Sequence, residues 1–549
     1  MYKLFLTFRY LRKRRIAYFA IAAVMLCTAM VLIVMSVMGG FLDQLKIKAR
    51  GLLGDLVVDN LSYSGFPLYG EFIADIAKWP EIVKATPVLY TYGLLRYGDP
   101  PRTATVQVVG LRLEDVYEVN AFKRSLFYET YYPGTTTLAD QQQPLLGVDV
   151  NAPPLEMRDE HGNVEGRIYR PLLPPAYQQA LERSWAAGIV DRESPPDPFT
   201  EVFVANHLPP VVGVYEMADG REPPTLTGEP HAGLIIGRDI IAWRLPDGRY
   251  ERSSSLPRGS TVMLTLLPAT EGGTIDTPIK AIFRYADDSR TGIYEIDSKH
   301  VYGDFDLLQK LLQMQQVPRV YPDSGSVIGV VPGRCSQIQV KIAPGAEPYA
   351  LARRLEDFYH SYAGNPAYTN MLSRRELGLI DHIKVKTWEE TQGHIIAPVE
   401  KERQLVTILF GIISLVAAVL VLCILYMIVL QKTRDIGIVK AIGGSSGGVA
   451  AIFVTYGVAV GLVGSTLGAL LGYYFVRYIN EFQDWLKSMN PAWQVWDRSV
   501  YSFDLIPNTV RTEDMVTVVA LAVLTSTLGS LAAAWRAGAM QPVEALRHE

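Results

Sequence analysis

The sequence has little of what most catalytic or metal-binding proteins need. Only three of its 549 residues are cysteine, and its eight histidines show no spacing typical of metal ligands. The dipeptide Gly-Lys is absent, which excludes a phosphate loop, and neither HExxH nor CxxC occurs. We therefore predict that this chain is not an enzyme and holds no catalytic residue, cofactor or metal of its own.

A strong excess of either charge is also missing. The net charge is −4, from 52 basic and 56 acidic residues, which argues against nucleic acid as a partner. Asp287 and Asp288 are adjacent carboxylates, but beside Ser289 and Arg290 they are interpreted as a solvated turn. Cys335 is the only cysteine between the first two apolar runs, so no internal disulfide is expected there and packing must hold that region together.

What the sequence does contain is four long apolar runs without a charged residue. They cover residues 16–38, 405–430, 449–476 and 515–535. Each is long enough, as a helix, to cross a hydrocarbon core of about 30 Å. A cleaved signal peptide is the alternative for the first run, but its apolar core would have only about 7–15 residues. The absence of buried charge within the runs argues against an ion-driven carrier.

Basic residues predict the orientation of these four spans. A basic cluster before the first span places the N-terminus in the cytoplasm. The connecting segments are then 41–400 outside, 431–448 inside, 477–512 outside and 536–549 inside. Leu4, Phe5, Phe8 and Leu11 repeat at helical spacing, so residues 1–15 are predicted to form an interfacial helix on the inner leaflet. A disordered basic tail is the alternative.

The large outer segment shows alternating strands and helices at both of its ends. The predicted strands lie at 55–60, 88–96, 103–109, 337–342 and 383–387, with helices at 71–79 and 347–360. We expect a porter-like α/β subdomain built from 48–112 and 326–400, into which 113–325 is inserted as a β-rich subdomain. Doubled prolines within 153–230 predict loop-rich structure, either a partner-binding loop or an ordinary surface insertion. The fold class is therefore an α-helical membrane domain, four spans arranged 1+3, with a large α/β extracytoplasmic domain.

The third span has glycines along one helical face. They are Gly457, Gly461, Gly464, Gly468 and Gly472, separated by three or four residues. Glycine lets a neighbouring backbone approach closely, and helix association in lipid depends on such packing. We predict that these five residues form a helix-packing seam.

The loop after the second span carries the most specific motif. It reads QKTRDIGIVKAIG at 431–443, and the chain ends with PVEALR at 542–547. The sequence resembles the FtsX/MacB class of ABC transporter permeases, in which a short cytoplasmic helix reading R-x-I-G-x-x-K-A-x-G follows the second span and P-x-EALR follows the last. Four outer motifs look like the lipoprotein-releasing LolC/LolE branch: VMGGF at 37–41, GLIIG at 233–237, GIYEID at 292–297 and VKTW at 385–388. The outer domain is longer than that branch usually has.

The resemblance implies a multi-pass permease of the inner (cytoplasmic) membrane, with a large periplasmic domain that moves when a separate ATPase hydrolyses ATP. The implied partners are that ABC ATPase subunit, which would bind the ATP, a second permease protomer in a homo- or heterodimer, a lipid-modified protein or other extracytoplasmic cargo, and a periplasmic carrier. Lipoprotein release is the expected function. A MacB-like efflux permease and an FtsX-like signal transmitter to a cell-wall hydrolase are the alternatives.

The motif also defines a candidate coupling site. Ile436, Val439 and Ile442 repeat at helical spacing in a loop that faces water, which predicts a short helix docking on the ATPase. Lys432 and Arg434 are expected to pair with acids there. The candidate coupling residues are Lys432, Arg434, Asp435, Ile436, Gly437, Val439, Lys440, Ala441, Ile442 and Gly443. A plain solvated loop obeying the positive-inside rule is the alternative.

Overall fold

The fold is taken from a computed structural model of the chain. The described residues are 15–60, 64–98, 100–131, 134, 136–139, 147–148, 155–158, 164–168, 171–172, 183, 186, 188, 231–244, 250–252, 256, 260–268, 277–320, 327–369, 372–490, 493, 496 and 505–541. The predicted interfacial helix, except for Arg15, most of the proline-rich segment 153–230 and the PVEALR motif lie outside them. The chain divides into two compact units, Met1–Leu45 with His394–Trp496 and Leu505–Glu549, and Lys46–Gly393 with Asp497–Asp504.

Helices make up most of the first unit and flank the strands of the second. In chain order they are α1 (Arg15–Arg50), α2 (Tyr69–Ile76), α3 (Leu113–Val119), α4 (Phe127–Tyr131), α5 (Arg238–Ile241), α6 (Tyr294–Asp297), α7 (Phe305–Leu311), α8 (Pro348–Ser361), α9 (Pro366–Thr369), α10 (Arg374–Asp381), α11 (Trp388–Thr391), α12 (Gly393–Gln431), α13 (Thr433–Ala441), α14 (Ser446–Arg477), α15 (Ile479–Met489) and α16 (Thr512–Ala539).

The strands all lie in the second unit. In chain order they are β1 (Leu56–Asp59), β2 (Phe66–Pro67), β3 (Ile82–Tyr97), β4 (Arg102–Leu111), β5 (Gly147–Val148), β6 (Leu155–Arg158), β7 (Val164–Ile168), β8 (Pro171–Leu172), β9 (Gly233–Gly237), β10 (Ala242–Arg244), β11 (Tyr250–Arg252), β12 (Thr261–Leu266), β13 (Ile279–Ser289), β14 (His300–Asp304), β15 (Val317–Val320), β16 (Val327–Val331), β17 (Arg334–Cys335), β18 (Gln337–Ile342) and β19 (Lys384–Thr387).

Four helices are long and apolar enough to cross a membrane, which confirms the predicted 1+3 arrangement. They comprise Tyr18–Arg50, Ile396–Gln431, Ser446–Arg477 and Thr512–Ala539. The first two continue well beyond the apolar runs into polar sequence. Hydropathy marks only the part of a helix that suits hydrocarbon, whereas the backbone hydrogen bonds continue until the sequence ends the helix.

The second unit is built on a nine-stranded sheet in the order β12-β13-β9-β14-β4-β3-β18-β1-β19. Strand β3 is long enough to serve two groups of neighbours. Its first half pairs with β18, from Ile82 to Val88, and its second half pairs with β12, from Gly93 to Arg96. The second pairing closes β3, β4, β14, β9, β13 and β12 into a ring. A side chain at Gly93 would lie 2.6 Å from the Thr265 carbonyl oxygen, so the closure needs glycine there.

The predicted porter-like strands and the inserted segment share this one sheet. Strands β1, β3, β4, β18 and β19 come from 48–112 and 326–400, and β9, β12, β13 and β14 come from 113–325. One hydrophobic core includes residues from both, among them Val108, Leu234 and Val340. The physical reason is the length of β3, whose second half extends past β18 and pairs instead with strand β12 of the inserted segment.

The interpretation of Asp287 and Asp288 as a solvated turn is wrong. Both carboxylates lie in β13 and are fully buried. Asp287 accepts hydrogen bonds from the Tyr128 backbone nitrogen at 2.7 Å and from the Thr136 hydroxyl, and Asp288 forms an ion pair with the buried Arg238. Buried charges require such partners. These two residues therefore connect β13 to α4 and α5.

The GIYEID motif also has a structural explanation. Gly292 adopts φ +72°, and the Asp297 carboxylate accepts hydrogen bonds from the backbone nitrogens of Thr291 and Gly292 and from the Thr291 hydroxyl, all at 2.8 Å. Burial raises the pKa of Asp297 from the usual 3.8 to about 7, against the opposing effect of these bonds. The carboxyl therefore fixes a turn that only glycine adopts without strain.

This buried carboxyl predicts a pH dependence of stability. Because the folded protein holds the Asp297 proton more tightly than the unfolded chain, the free energy of unfolding falls as pH rises from about 4 to about 7 and is level above that. We expect the parent to lose on the order of 1–4 kcal/mol across this window relative to Asp297→Asn. Thermal midpoints of the full-length protein in detergent measure the difference. The exposed Asp381→Asn is the control, and identical pH profiles of D297N and parent would contradict the prediction.

Candidate functional site

The loop between α12 and α14 contains a helix with defined ends. Lys432 leaves the helical conformation between α12 and α13, at φ −110° and ψ 12°. At the other end Gly443 adopts φ +101°, and the backbone nitrogens of Gly443 and Gly444 donate to the Lys440 and Val439 carbonyls at 3.0 and 2.9 Å. This is a Schellman end, which favours glycine. Ser445 then caps α14 by accepting from the Gly448 nitrogen at 3.1 Å.

One face of α13 packs against the membrane helices of the same chain. Ile436 is 6% exposed and belongs to a hydrophobic core with residues of α1, α12, α14 and α16, including Val429, Val449 and Ala533. Gly437 is buried beside it. The side chain of Ile436 therefore packs inside the chain, and the predicted docking of α13 on a partner stays a prediction that depends on its other apolar residues. No atom lies within 4 Å of the Cβ position at Gly443, so this glycine is needed for the positive φ that ends α13 and not for close contact with another helix.

The opposite face of α13 leaves apolar side chains uncovered. Ile438, Val439 and Ile442 are 43%, 38% and 82% exposed. Arg434 and Asp435 are exposed on the same helix, and so is Ala441 after them. Sequence analysis missed Ile438, because the predicted repeat takes every third residue from Ile436 and Ile438 does not fall on it. A helix in water that keeps one apolar face buried and a second one open has the surface of a docking element.

The charged residues of α13 have roles within the chain. Lys432, just before α13, pairs within the chain with Asp435 in its first turn, and the pairing of Lys432 with acids of a partner stays a prediction. Lys440 donates from Nζ to the Gly538 and Met540 carbonyl oxygens, at 2.5 and 2.7 Å. Those carbonyls end α16 without intrahelical partners. Lys440 thus ties α13 to the last membrane helix.

The glycine face of α14 packs against two different helices. A side chain atom at Gly457 would lie 2.3 Å from Cβ of Ser530, and one at Gly461 would lie 3.0 Å from Cβ of Ser526, both in α16. The remaining three glycines face α1: the corresponding distances are 2.9 Å from Gly464 to Val24 Cβ, 2.4 Å from Gly468 to the Met25 carbonyl oxygen and 3.2 Å from Gly472 to the Ala29 carbonyl oxygen. All five are buried.

The α14–α16 contact includes a polar interaction as well. The Ser526 hydroxyl donates to the Gly457 carbonyl oxygen at 2.8 Å. Small residues and a hydroxyl that bonds across helices are the usual means of association in lipid. Among the described residues, no group of three or more His, Cys, Asp or Glu side chains is placed to hold a metal ion.

Comparison with known proteins identifies the membrane unit. Residues 407–542 match the family model of the FtsX-like permease C-terminal domain. This range contains α13, α14, α15 and α16 with most of α12, and the chain carries an FtsX-like permease domain, as the motif predicted. Together with the four spans and their basic flanks, this domain assigns the chain to the inner membrane with the large domain on the periplasmic side.

The chain is also similar to curated proteins of lipoprotein release. It is 30% identical over 173 residues to the lipoprotein-releasing system transmembrane protein LolC of Neisseria meningitidis and 28% identical over 166 residues to LolC of Haemophilus influenzae. It is 25% identical over 166 residues to LolE of Haemophilus influenzae. These matches cover 31%, 30% and 30% of this chain and only 40%, 39% and 39% of the relatives. The crystal structure of the periplasmic region of MacB from Actinobacillus actinomycetemcomitans aligns over 64% of this chain and 95% of that structure, with 11% identity and a TM-score of 0.24.

The glycine face predicts a strong dependence on side-chain size. Gly468→Leu places bulk where a Cβ atom would lie only 2.4 Å from the Met25 carbonyl oxygen, so α1 and α14 must separate. We expect destabilisation of about 1–3 kcal/mol, typical of overpacking. Gly411→Leu in α12 is the matched control, because nothing lies within 4 Å of its Cβ position. Thermal midpoints in detergent compare the two, and equal midpoints would show that α14 does not need its glycines.

The Lys440 contact predicts local opening of α16. Lys440→Met removes the ammonium from the Gly538 and Met540 carbonyls and leaves them without this donor. We expect hydrogen exchange at residues 532–541 to increase about tenfold, corresponding to about 1.4 kcal/mol for a lost charged hydrogen bond. Lys432→Met is the control, since Lys432 pairs within α13. Unchanged exchange in K440M, measured by mass spectrometry, would exclude the proposed tie.

Proposed function

We propose that this chain is the permease subunit of an ABC transporter that releases lipid-modified proteins from the inner membrane. A separate ATPase subunit binds and hydrolyses ATP, and the chain transmits the resulting movement to its extracytoplasmic domain. A second permease protomer, of the same or a related chain, completes the transporter, and a periplasmic carrier receives the cargo. The FtsX-like domain supports the permease role, and the LolC and LolE similarities support lipoprotein as the cargo.

The observation that carries the ATPase assignment is the open face of α13. Ile442 is 82% exposed on a helix whose other face is anchored by Ile436. Covering Ile438, Val439 and Ile442 with a partner removes apolar surface from water, at about 25 cal/mol per Å². The exposed Arg434 lies beside them and supplies a charge for an acidic partner residue. Because Lys440 joins α13 to the end of α16, a movement of α13 is transmitted directly to the membrane helices.

The energetics of the cargo explain why such a machine needs ATP. Moving a lipid anchor of two or three acyl chains into water costs on the order of 25–35 kcal/mol, at about 0.8 kcal/mol per methylene. No Asp, Glu, Lys, Arg or His lies within the predicted apolar runs, so an ion gradient has no evident pathway through them. The required energy must then come from a partner, and the chain itself lacks a phosphate loop.

The test uses charges placed on the open face of α13 only. We expect Ile438→Asp with Ile442→Asp to lose the co-purifying ATPase, because docking would bury two unpaired carboxylates. The variant should still insert and keep the thermal midpoint of the parent, since both side chains are exposed. Ser446→Asp, exposed at the first residue of α14, is the control for a carboxylate placed near α13 but outside its open face.

Mass spectrometry of the same mild-detergent preparation identifies the proteins that remain bound. Acylated protein with the parent supports lipoprotein release, whereas a bound cell-wall hydrolase would favour a signal transmitter. Parental levels of ATPase with the double variant would show that α13 is not the docking element. A parent that brings no ATPase at all would overturn the proposed function.

A further inference from the structure

Helix α15 follows the outer end of the third membrane helix after a break of one residue. Tyr478, at φ −108° and ψ 22°, separates α14 from α15. At about 100° per residue, the apolar side chains fall on one continuous arc of about 120°. That arc contains Tyr478, Ile479, Phe482, Trp485, Leu486 and Met489. The polar side chains occupy the rest of the circumference, so α15 is a fully amphipathic helix.

The polar side of α15 is held by the segment that leads to α16. The Asn480 amide donates to the Ile506 carbonyl at 3.1 Å and accepts from the Ile506 nitrogen at 2.9 Å. One turn along, the Gln483 amide exchanges two bonds with the Trp496 backbone, at 3.3 and 3.0 Å. Two paired amide contacts fix the rotation of α15 about its own axis. The apolar side therefore points away from this segment.

The apolar side is left uncovered within the membrane unit. Phe482, Trp485 and Met489 are 41%, 56% and 58% exposed, and none of the α15 residues is buried. The Phe482 ring lies 5.3 Å from that of Phe475 in the last turn of α14 and 5.7 Å from that of Trp485. Phe475 belongs to a spanning helix. Its contact with Phe482 therefore places the apolar side of α15 next to the surface of α14 that faces lipid.

We propose that α15 is an interfacial anchor whose apolar side lies in the outer leaflet of the membrane. Tyr and Trp are the residues favoured at the level of lipid headgroups, and α15 begins where a membrane helix ends. Its exposed acids, Glu481 and Asp484, outnumber its one basic residue, the half-buried Lys487, so α15 lacks the basic face that anionic headgroups attract, and we assign zwitterionic phospholipid as the partner. This inference does not rest on the proposed function, because it concerns only the lipid around the membrane unit.

The test compares neighbouring positions on the two sides of α15. Spin labels are attached at Trp485→Cys and Met489→Cys, and at their polar neighbours Asp484→Cys and Ser488→Cys, after Cys27, Cys335 and Cys423 are replaced by alanine. The full-length protein, with whatever subunits co-purify, is reconstituted in phosphatidylcholine vesicles. The ratio of collisions with oxygen to collisions with a water-soluble nickel complex reports depth. We expect this ratio to be at least threefold higher at 485 and 489 than at 484 and 488.

Two results would overturn the proposal. Equal nickel accessibility at all four positions would place α15 in water. Low accessibility of 485 and 489 to both reagents would show that protein, such as a second copy of the chain, covers the apolar side. Adding anionic phosphatidylglycerol should leave the ratios unchanged, and insertion only in its presence would contradict the assigned lipid. Each labelled protein must elute at the same volume as the unlabelled one. Elution of all four as aggregates would contradict the proposal, because labels on exposed side chains should not disturb the fold.

Discussion

The membrane unit depends on close backbone contact along one face of α14. Five glycines remove every side chain from that face, so α16 packs against its first half and α1 against its second. In lipid no hydrophobic effect drives helices together, and close approach with a few interhelical hydrogen bonds must do so. The contact between Gly457 and Ser526 supplies such a bond. Through this face, the first and last membrane helices both pack against α14.

Both ends of α14 extend this arrangement outside the hydrocarbon. At the cytoplasmic end α13 precedes it and is tied to α16 through Lys440. At the outer end α15 follows it and is tied through Asn480 to Ile506, shortly before α16 begins. Each short helix thus has one side fixed to the chain and one apolar side uncovered. Their chemistry differs, since the apolar side of α13 is aliphatic and that of α15 is largely aromatic.

The sequence was sufficient for features that depend on local periodicity. Long uncharged runs predicted four spans, and glycine spacing predicted one packing face. It was not sufficient where a residue's partner lies far along the chain. Asp288 looks solvated until Arg238, fifty positions earlier, is brought against it by the sheet. The ring closed by β3 and β12 could not be predicted either. Alternation of apolar and polar residues shows which face of a strand is buried, but not which strands pair with it.

Helix α13 shows the same limit of sequence-based prediction at the scale of a single turn. A repeat of Ile436, Val439 and Ile442 predicts a helix, but the repeat alone does not say which apolar side chains face the chain's own core. Ile436 is buried and Ile438 is open, although both are isoleucines on one short helix. That division follows from the position of α13 against α12 and α14, which the motif does not encode. A short helix with apolar residues on two sides therefore has two separate packing surfaces. One side belongs to the fold, and only the other is available to a partner.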